Sequence, residues 1–405
     1  MPPAARSLRS LCRKSGDSKP LTNRSIVIVG GGVFGLTAAW ELSVRGWQVA
    51  ILDPGPLPRP VAASTDISKV VRTDYGGDEL YTAMAEAALT GWDRWNTRWD
   101  EQLYHEDGFL VLSRDLMRRR GFEYESLTLL ERRGHRLERI NDRVRTRFPA
   151  WSSDYTDGYF NPRAGWVESG KVVGRLALEA RAAGVRFLEG AAFDRLVEHN
   201  ARIVGVKTTN GRELRADDVL IATGAWTPAL LPQLDDVMWA TGQPVVHFRV
   251  DNPKAWQAPH FPVWAADISR SGWYGFPAQN DGTLKIANHG VGRRVRADDP
   301  RTVLPEEKAR FRAFVREHLP DLASAPIVAT RLCLYCDTFD GDFWIARDPA
   351  RAGLVVAAGD SGHAFKFAPV LGGVIADVVE AKSNTWASRF RWRAKGRGAQ
   401  EAARA

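Results

Sequence analysis

Cysteine and methionine are scarce in this chain, with three and four residues among 405. Three thiols cannot make a disulfide framework, so a reducing compartment is the expected setting. Cys12 stands alone, while Cys333 and Cys336 form a C-x-x-C. Long apolar runs are missing as well. The longest uncharged apolar stretch, Ser25 to Trp40, is shorter than the roughly 20 residues of a spanning helix, and Gly30, Gly31, Gly32 and Gly35 interrupt it. No membrane partner is expected on that ground. Residues 1–24 carry six basic residues and one acid but no apolar centre of a secretory signal. They read as a flexible basic tail, with a mitochondrial transit peptide as the alternative and the cytoplasm as the expected location. Arg404-Ala405 does not match the peroxisomal Ser-Lys-Leu ending. No internal repeat is present, which excludes a solenoid.

What is present is an ordinary globular composition, 44% hydrophobic and 26% charged, at a length that suggests two domains. The formal net charge of +8 invites a nucleic-acid or acidic-membrane reading. The charges lie at the ends: residues 1–24 and 389–405 each carry +5, which leaves −2 for residues 25–388. The excess therefore describes two tails around a nearly neutral body, and no nucleic-acid partner is expected.

Ser25 to Val29 is a β-branched run, followed by Gly30-Gly31-Gly32-Val33-Phe34-Gly35, a helical stretch from Leu36 to Arg45, and a second strand, Gln48 to Leu52, ending at Asp53. This is a βαβ unit with a G-x-G-x-x-G turn. Gly30 serves the tight turn, Gly32 the close approach of backbone to a pyrophosphate, and Gly35 the packing of helix on strand. The helix amino terminus offers N–H groups and a positive dipole end to the phosphates. Asp53 lies where an acid receives ribose hydroxyls. The motif does not choose between NAD and FAD. Glu79 to Trp99 reads as an amphipathic helix whose Trp92, Trp95 and Trp99 pack a core. A helix is expected from Lys171 to Gly184. Strands are expected at Gly108 to Ser113, Val219 to Ala222, Val245 to Val250, Leu284 to Ala287 and Leu354 to Ala358, with a last helix to about Ala381. Nucleotide-fold signals thus stand at the start, middle and end of the chain, so the nucleotide domain is expected to be discontinuous.

Taken with Asp66-Ile67-Ser68-Lys69-Val70-Val71-Arg72, Ala222-Thr223-Gly224-Ala225-Trp226, Tyr274-Gly275-Phe276-Pro277, Leu284-Lys285, Arg331-Leu332-Cys333-Leu334-Tyr335 and Gly359 to Lys366, the chain resembles the D-amino-acid-oxidase-like flavoproteins. Within them it is similar to the sarcosine oxidase and fructosyl amino acid oxidase (amadoriase) branch. The resemblance runs from about Ser25 to Glu380. It implies an α/β fold with a discontinuous Rossmann-type FAD-binding domain (25–90, 163–235 and 328–385) and an inserted α+β substrate domain (91–162 and 236–327). Residues 386–405 are left as a basic C-terminal tail. The implied FAD set is Gly30, Gly32, Val33, Phe34, Gly35, Asp53, Ser64, Lys69, Cys333, Gly362, His363, Phe365 and Lys366, with Cys333 bonded to the flavin. Against that bond stand a C-x-x-C redox pair and half of a zinc site. A zinc site needs further ligands nearby, and a dithiol usually sits at a helix amino terminus, whereas Thr330 to Cys336 reads as extended. No metal is expected.

The resemblance also assigns Lys285 to the reaction with oxygen; an edge-strand surface lysine is the alternative. Arg72 and Lys366 match positions that hold a substrate carboxylate, a task that suits a guanidinium fork. Tyr274, Tyr335 and His289 match the same pocket. His289 stands where fructosyl enzymes typically carry glutamate, while Lys69, Asp360-Ser361 and Phe390-Arg391-Trp392-Arg393 look fructosyl-like. Ala364 replaces the family's usual glycine, which puts the loop shape in question. The implied activity is oxidation of a carboxylate-bearing secondary amine to an imine, with O2 reduced to H2O2. The alternatives are a fructosyl amino acid oxidase, an amine oxidase whose imine is trapped by cyclisation, a dehydrogenase passing electrons to another acceptor, and a basic nucleic-acid- or membrane-binding protein on a flavin fold. A monomer is expected.

Overall fold

The computed structural model describes residues 24–152 and 154–396. Among these, a six-stranded sheet runs in the order Trp344–Arg347, Leu354–Ala358, Asp218–Ile221, Ser25–Val29, Gln48–Asp53, Arg186–Glu189. Its pairing is parallel except at the Trp344–Arg347 edge. The central strands are continuous apolar runs because both faces are covered. Ile26, Ile28, Leu220 and Val355 pack under helices Val33–Val44, Ser169–Ala182 and Ala368–Val379. The alternate residues, Val27, Val29, Val219 and Val356, meet Ile203, Val206 and Leu214 of a three-stranded sheet on the other side.

A second large sheet is built around the strand Met238–Arg249, which pairs antiparallel with both Thr283–Asn288 and Ile327–Thr338. It continues through Trp273–Gly275, Val263–Ala266, Phe109–Ser113 and Asp157–Asn161. Trp151, Phe261, Trp264 and Phe314, the last from helix Pro305–His318, fill one of its faces. A small sheet of Lys69–Val71, Gly165–Val167 and Tyr104–His105 stands apart from the two large ones. The architecture is mixed α/β, and the parallel sheet draws its strands from the start, middle and end of the chain, as expected.

Three boundaries move. Residue 90 falls inside the continuous helix Glu79–Trp99, whose Trp92 and Trp99 belong to the core under the parallel sheet. Residues 328–338, expected with the FAD domain, belong to a strand of the second sheet, Ile327–Thr338, because they pair along Met238–Arg249. The C-terminal residues are anchored as far as they are described. Phe390 is fully buried against Phe343 and Tyr81, Arg389 bonds Asp342 and Asp78, and Arg393 bonds Asp340. Two of the positive charges read as a tail, Arg389 and Arg393, therefore pair with three aspartates of the body. The expectations for residues 1–23 lie outside the described residues.

Candidate functional site

The glycine turn follows strand Ser25–Val29 and opens at the carboxyl end of the parallel sheet. Gly30 has φ +103°, and a Cβ there would stand 2.5 Å from the Ala222 carbonyl oxygen. At Gly35 a Cβ would come within 1.9 Å of the Gly30 carbonyl oxygen. These two glycines are required by the protein's own backbone. Gly32 is different. Its conformation is extended, and its nearest neighbour to a Cβ is the Ser64 hydroxyl at 3.4 Å. It lines a cavity of about 380 Å³, so what calls for a glycine there lies in the cavity. The helix that follows has no side-chain cap and no acid in its first turn, which leaves its positive end for an anion. Asp53, buried, accepts from Gly31 N at 2.9 Å and Gly55 N at 3.1 Å, and Ser64 Oγ accepts from Val33 N at 3.0 Å. A cleft running from a glycine turn and a buried acid to Cys333 fits a dinucleotide.

That cavity is lined by Gly30, Gly32, Val33, Phe34, Asp53, Ser64, Lys69, Cys333, Gly362 and Phe365 of the expected set. Gly35 does not line it and acts through packing alone. His363 and Lys366 line a second cavity of about 80 Å³, with Arg72, Tyr274, Tyr335 and His289. The two cavities share Lys69, Tyr335, Gly362 and Phe365 as common wall.

In the second cavity the Arg72 guanidinium lies over the rings of Tyr75 at 4.9 Å and Phe122 at 5.5 Å. Lys366 Nζ donates to the Tyr75 hydroxyl at 3.0 Å and the His363 carbonyl at 2.7 Å. A Tyr75 hydroxyl that accepts from an ammonium gives its own proton to His363 Nδ1, 3.1 Å away, and His363 Nε2 then donates to the Gly341 carbonyl at 3.0 Å. The chain fixes both the lysine and the histidine tautomer. Tyr75 was not read from the sequence, although it stands three residues past Arg72 in a quoted motif's continuation. His289 Nδ1 is 3.4 Å from the Tyr335 hydroxyl, and burial raises the Tyr274 phenol above its ordinary value.

Lys285 is no edge-strand lysine. Its strand, Thr283–Asn288, lies between Met238–Arg249 and Trp273–Gly275, and the residue is 1% exposed. Lys285 Nζ donates to Asp66 Oδ2 at 2.6 Å and the Ser68 carbonyl at 2.7 Å, 4.6 Å over the Phe276 ring. It lines neither cavity. Burial lowers its pKa to about 8 against the opposing pull of Asp66. Burial alone raises the Asp66 carboxyl, but the charges of Lys285, Lys69 and Arg331 outweigh it and hold Asp66 below the usual carboxylate range.

Cys333 and Cys336 lie on one extended strand and are unbridged. Cys333 faces the first cavity, while Cys336 is buried 3.9 Å from the Met238 sulfur in the core on the other side. Opposite facing removes both the redox pair and the shared zinc site. Asp360, which no role was assigned to, lines the first cavity and accepts from Cys336 N and Gly362 N; burial raises its carboxyl to about 6. Arg59 and Arg301 also line that cavity and stack on Trp226 at 4.8 and 5.1 Å. Neither carries a local motif. Ala364 has helical dihedrals, so alanine costs the loop nothing; the turn is made by Gly359, Ser361 and Gly362, all at positive φ.

The family model of FAD dependent oxidoreductases (DAO) matches residues 25–378. L-saccharopine oxidase of Schizosaccharomyces pombe is 31% identical over 413 aligned residues, covering 92% of this chain and 93% of its own. Monomeric sarcosine oxidase of Bacillus sp. is 26% identical, covering 88% and 93%. Among solved structures, fructosamine oxidase (Amadoriase II) of Aspergillus fumigatus superposes with a TM-score of 0.78 at 25% identity, covering 91% and 89%. Fructosyl peptide oxidase of E. terrenum does so with 0.84 at 21% identity, covering 96% of each chain, a likeness of fold.

The glycine geometry predicts a split. Gly32→Ala folds with a stability within about 1 kcal/mol of the parent but copurifies with less yellow cofactor. Gly35→Ala fails to accumulate as folded protein. Thermal unfolding and the flavin absorbance of purified protein check both.

Proposed function

Because the chain belongs to the DAO family of FAD-dependent oxidoreductases, we propose that it oxidises a compact, carboxylate-bearing secondary amine, with oxygen as the acceptor. The observation that carries this is the convergence of Arg72 and Lys366 on a small cavity sharing a wall with the cleft that suits a dinucleotide. FAD, held by the glycine turn, Asp53 and Cys333, would supply a two-electron acceptor for hydride from the carbon beside the amine nitrogen, with O2 as the final acceptor and H2O2 as its product. The protein's part is to bind and orient. Arg72, held over two rings, and Lys366, held by Tyr75 and the His363 carbonyl, take the carboxylate and so fix the amine end of the substrate. Phe109, Val111, Phe122, Ile268 and Phe276 line the rest of the cavity and exclude water. Cys333, facing the cleft, is the residue for a covalent bond to the flavin. Lys285 supplies a fixed positive charge in a dry surrounding, which favours the negative charge that develops as O2 takes an electron.

The cavity disfavours a sugar. Among its lining residues no carboxylate appears, His289 stands in place of an acid, and the volume is about 80 Å³. A polyol would leave hydroxyls against aromatic walls. The activities of the relatives, on saccharopine and sarcosine, agree with an amino-acid substrate. Oxygen consumption over N-methyl, cyclic and fructosyl amino acids tests the reading. Turnover is expected with the first two and to be lost about a hundredfold or more in kcat/KM in Arg72→Ala; turnover of fructosyl substrates alone overturns the choice.

Lys285→Met is expected to leave anaerobic flavin reduction near the parent rate and to slow reoxidation by about two orders of magnitude. Lys285 is charged below its pKa of about 8, so the parent's reoxidation rate falls as pH rises through that value, and the methionine variant shows no such limb. Stopped-flow measurement of the two half-reactions separates these.

Cys333→Ala is expected to release its flavin to the supernatant on acid precipitation, whereas the parent's pellet stays yellow. A yellow pellet from the variant rules out the bond.

A further inference from the structure

An ammonium inside a sheet stays charged only through its partners. The groups that face Lys285 come from the elements packed on it: Asp66, which favours its charge, and Lys69, which opposes it, from the segment entering strand Lys69–Val71; His247 opposite it in register on Met238–Arg249; and Cys333 on Ile327–Thr338, where Arg331 acts on Asp66 and His247. Asp66 Oδ2 is 2.6 Å from Lys285 Nζ and 3.8 Å from Lys69 Nζ, so one carboxylate oxygen serves two lysines. The side chains of Asp66 and Lys285 are each 2% exposed, and that of Lys69 is 21%. Asp66 itself is pinned. Its other oxygen accepts from Ile67 N at 2.8 Å, and its carbonyl accepts from Ser169 Oγ and Gly170 N at 2.8 Å each. Lys69 lines both cavities and Lys285 lines neither.

We propose that Asp66 is the positioning residue for Lys285: its carboxylate anchors the ammonium behind the wall shared by the two cavities, and Lys69 is the lysine that faces them. This rests on the reading that Lys285 serves the oxygen reaction. The two lysines exceed the one carboxylate they share by a single positive charge, to which Arg331 adds its own. His247 adds none, since burial and the charge of Lys285 push it down to about 4. Removing the carboxylate leaves two cations facing each other in a dry place, and the cheaper response is for Lys285 to lose its proton.

The test uses the holoenzyme as Asp66→Asn, Asp66→Glu, Lys285→Met and the double variant Asp66→Asn/Lys285→Met. Two readouts are followed: the melting temperature between pH 6 and 9, which does not depend on turnover, and the pH profile of reoxidation. In Asp66→Asn the melting temperature is expected to fall, and to fall further at pH 6 than at pH 9, because the unpaired lysine is protonated in the unfolded chain at both values but resists protonation in the fold. The double variant recovers most of that loss, and Asp66→Glu lies close to the parent. The alkaline limb of reoxidation in Asp66→Asn moves to lower pH by at least one unit. Should Asp66→Asn not fold, folding of the double variant supports the proposal and its failure overturns it. A loss of melting temperature equal with and without Lys285, together with an unmoved limb, also overturns it. Normal reoxidation in Lys285→Met defeats the oxygen role alone, since the melting-temperature coupling still decides the pairing.

Discussion

The antiparallel pairing of Ile327–Thr338 with Met238–Arg249 is the seam on which both halves of the molecule depend. Main-chain hydrogen bonds run along nearly the whole of both strands, from Met238 opposite Thr338 to Phe248 opposite Ile327. A strand in this position has two faces with different duties. One turns Cys333 and Tyr335 to the cavities, and the other sends Cys336 into the core under the parallel sheet. A slip of one residue in this register exchanges those faces, taking the thiol out of the cleft and the tyrosine out of the wall. The position of the chemistry is therefore set by backbone pairing before any side chain contributes.

Charge is the second constraint. Lys69, Arg72, Lys285 and Lys366 stand in or behind the two cavities, and three devices hold them, Lys69 sharing the Asp66 carboxylate with Lys285. Arg72 has two ring faces, Lys366 a hydroxyl and a carbonyl, and Lys285 a full carboxylate. Ring faces and neutral acceptors orient a cation without adding a formal negative charge, whereas a carboxylate adds one. The two kinds of support fall at the two ends of the proposed site, the first around Arg72 and Lys366 and the second at Lys285.

Much of this was legible in the sequence, for identifiable reasons. Buried parallel strands appear as unbroken apolar runs, so Ser25–Val29 and Leu354–Ala358 were found with their limits, and Glu79–Trp99 follows from its helical spacing. Cys333 and Cys336 were assigned to opposite faces from strand geometry alone. What escaped has no local signature. The length of Met238–Arg249 is hidden because Pro244 and Gly242 lie inside it, tolerated where Leu332 and Leu334 pair across. The anchoring of Phe390 depends on Phe343 and Tyr81, far away in the chain. Asp66 stood inside a quoted motif without a role, since its partner is 219 positions away. Arg59 and Arg301 became site residues only when segments distant in sequence met at the first cavity, and Tyr75 only through its contacts with Arg72 and Lys366 of the second.

The shared wall between the cavities shows why the loop before the last helix has the residues it has. On the proposed function two ligands react with each other across this wall, so the residues that make it must leave room for their contact. Phe365 and Tyr335 line both cavities. Gly362 supplies the absence of a side chain: at φ +76° its Cβ would stand 2.3 Å from the Tyr335 ring. Any other residue there displaces the tyrosine, and with it the 3.4 Å contact to His289 that connects it to the substrate side. Asp360 ties this turn to the seam by accepting from both Gly362 N and Cys336 N. The turn, the ring and the paired strand are thus one unit, and the wall shared by the two cavities is a property of the register described above.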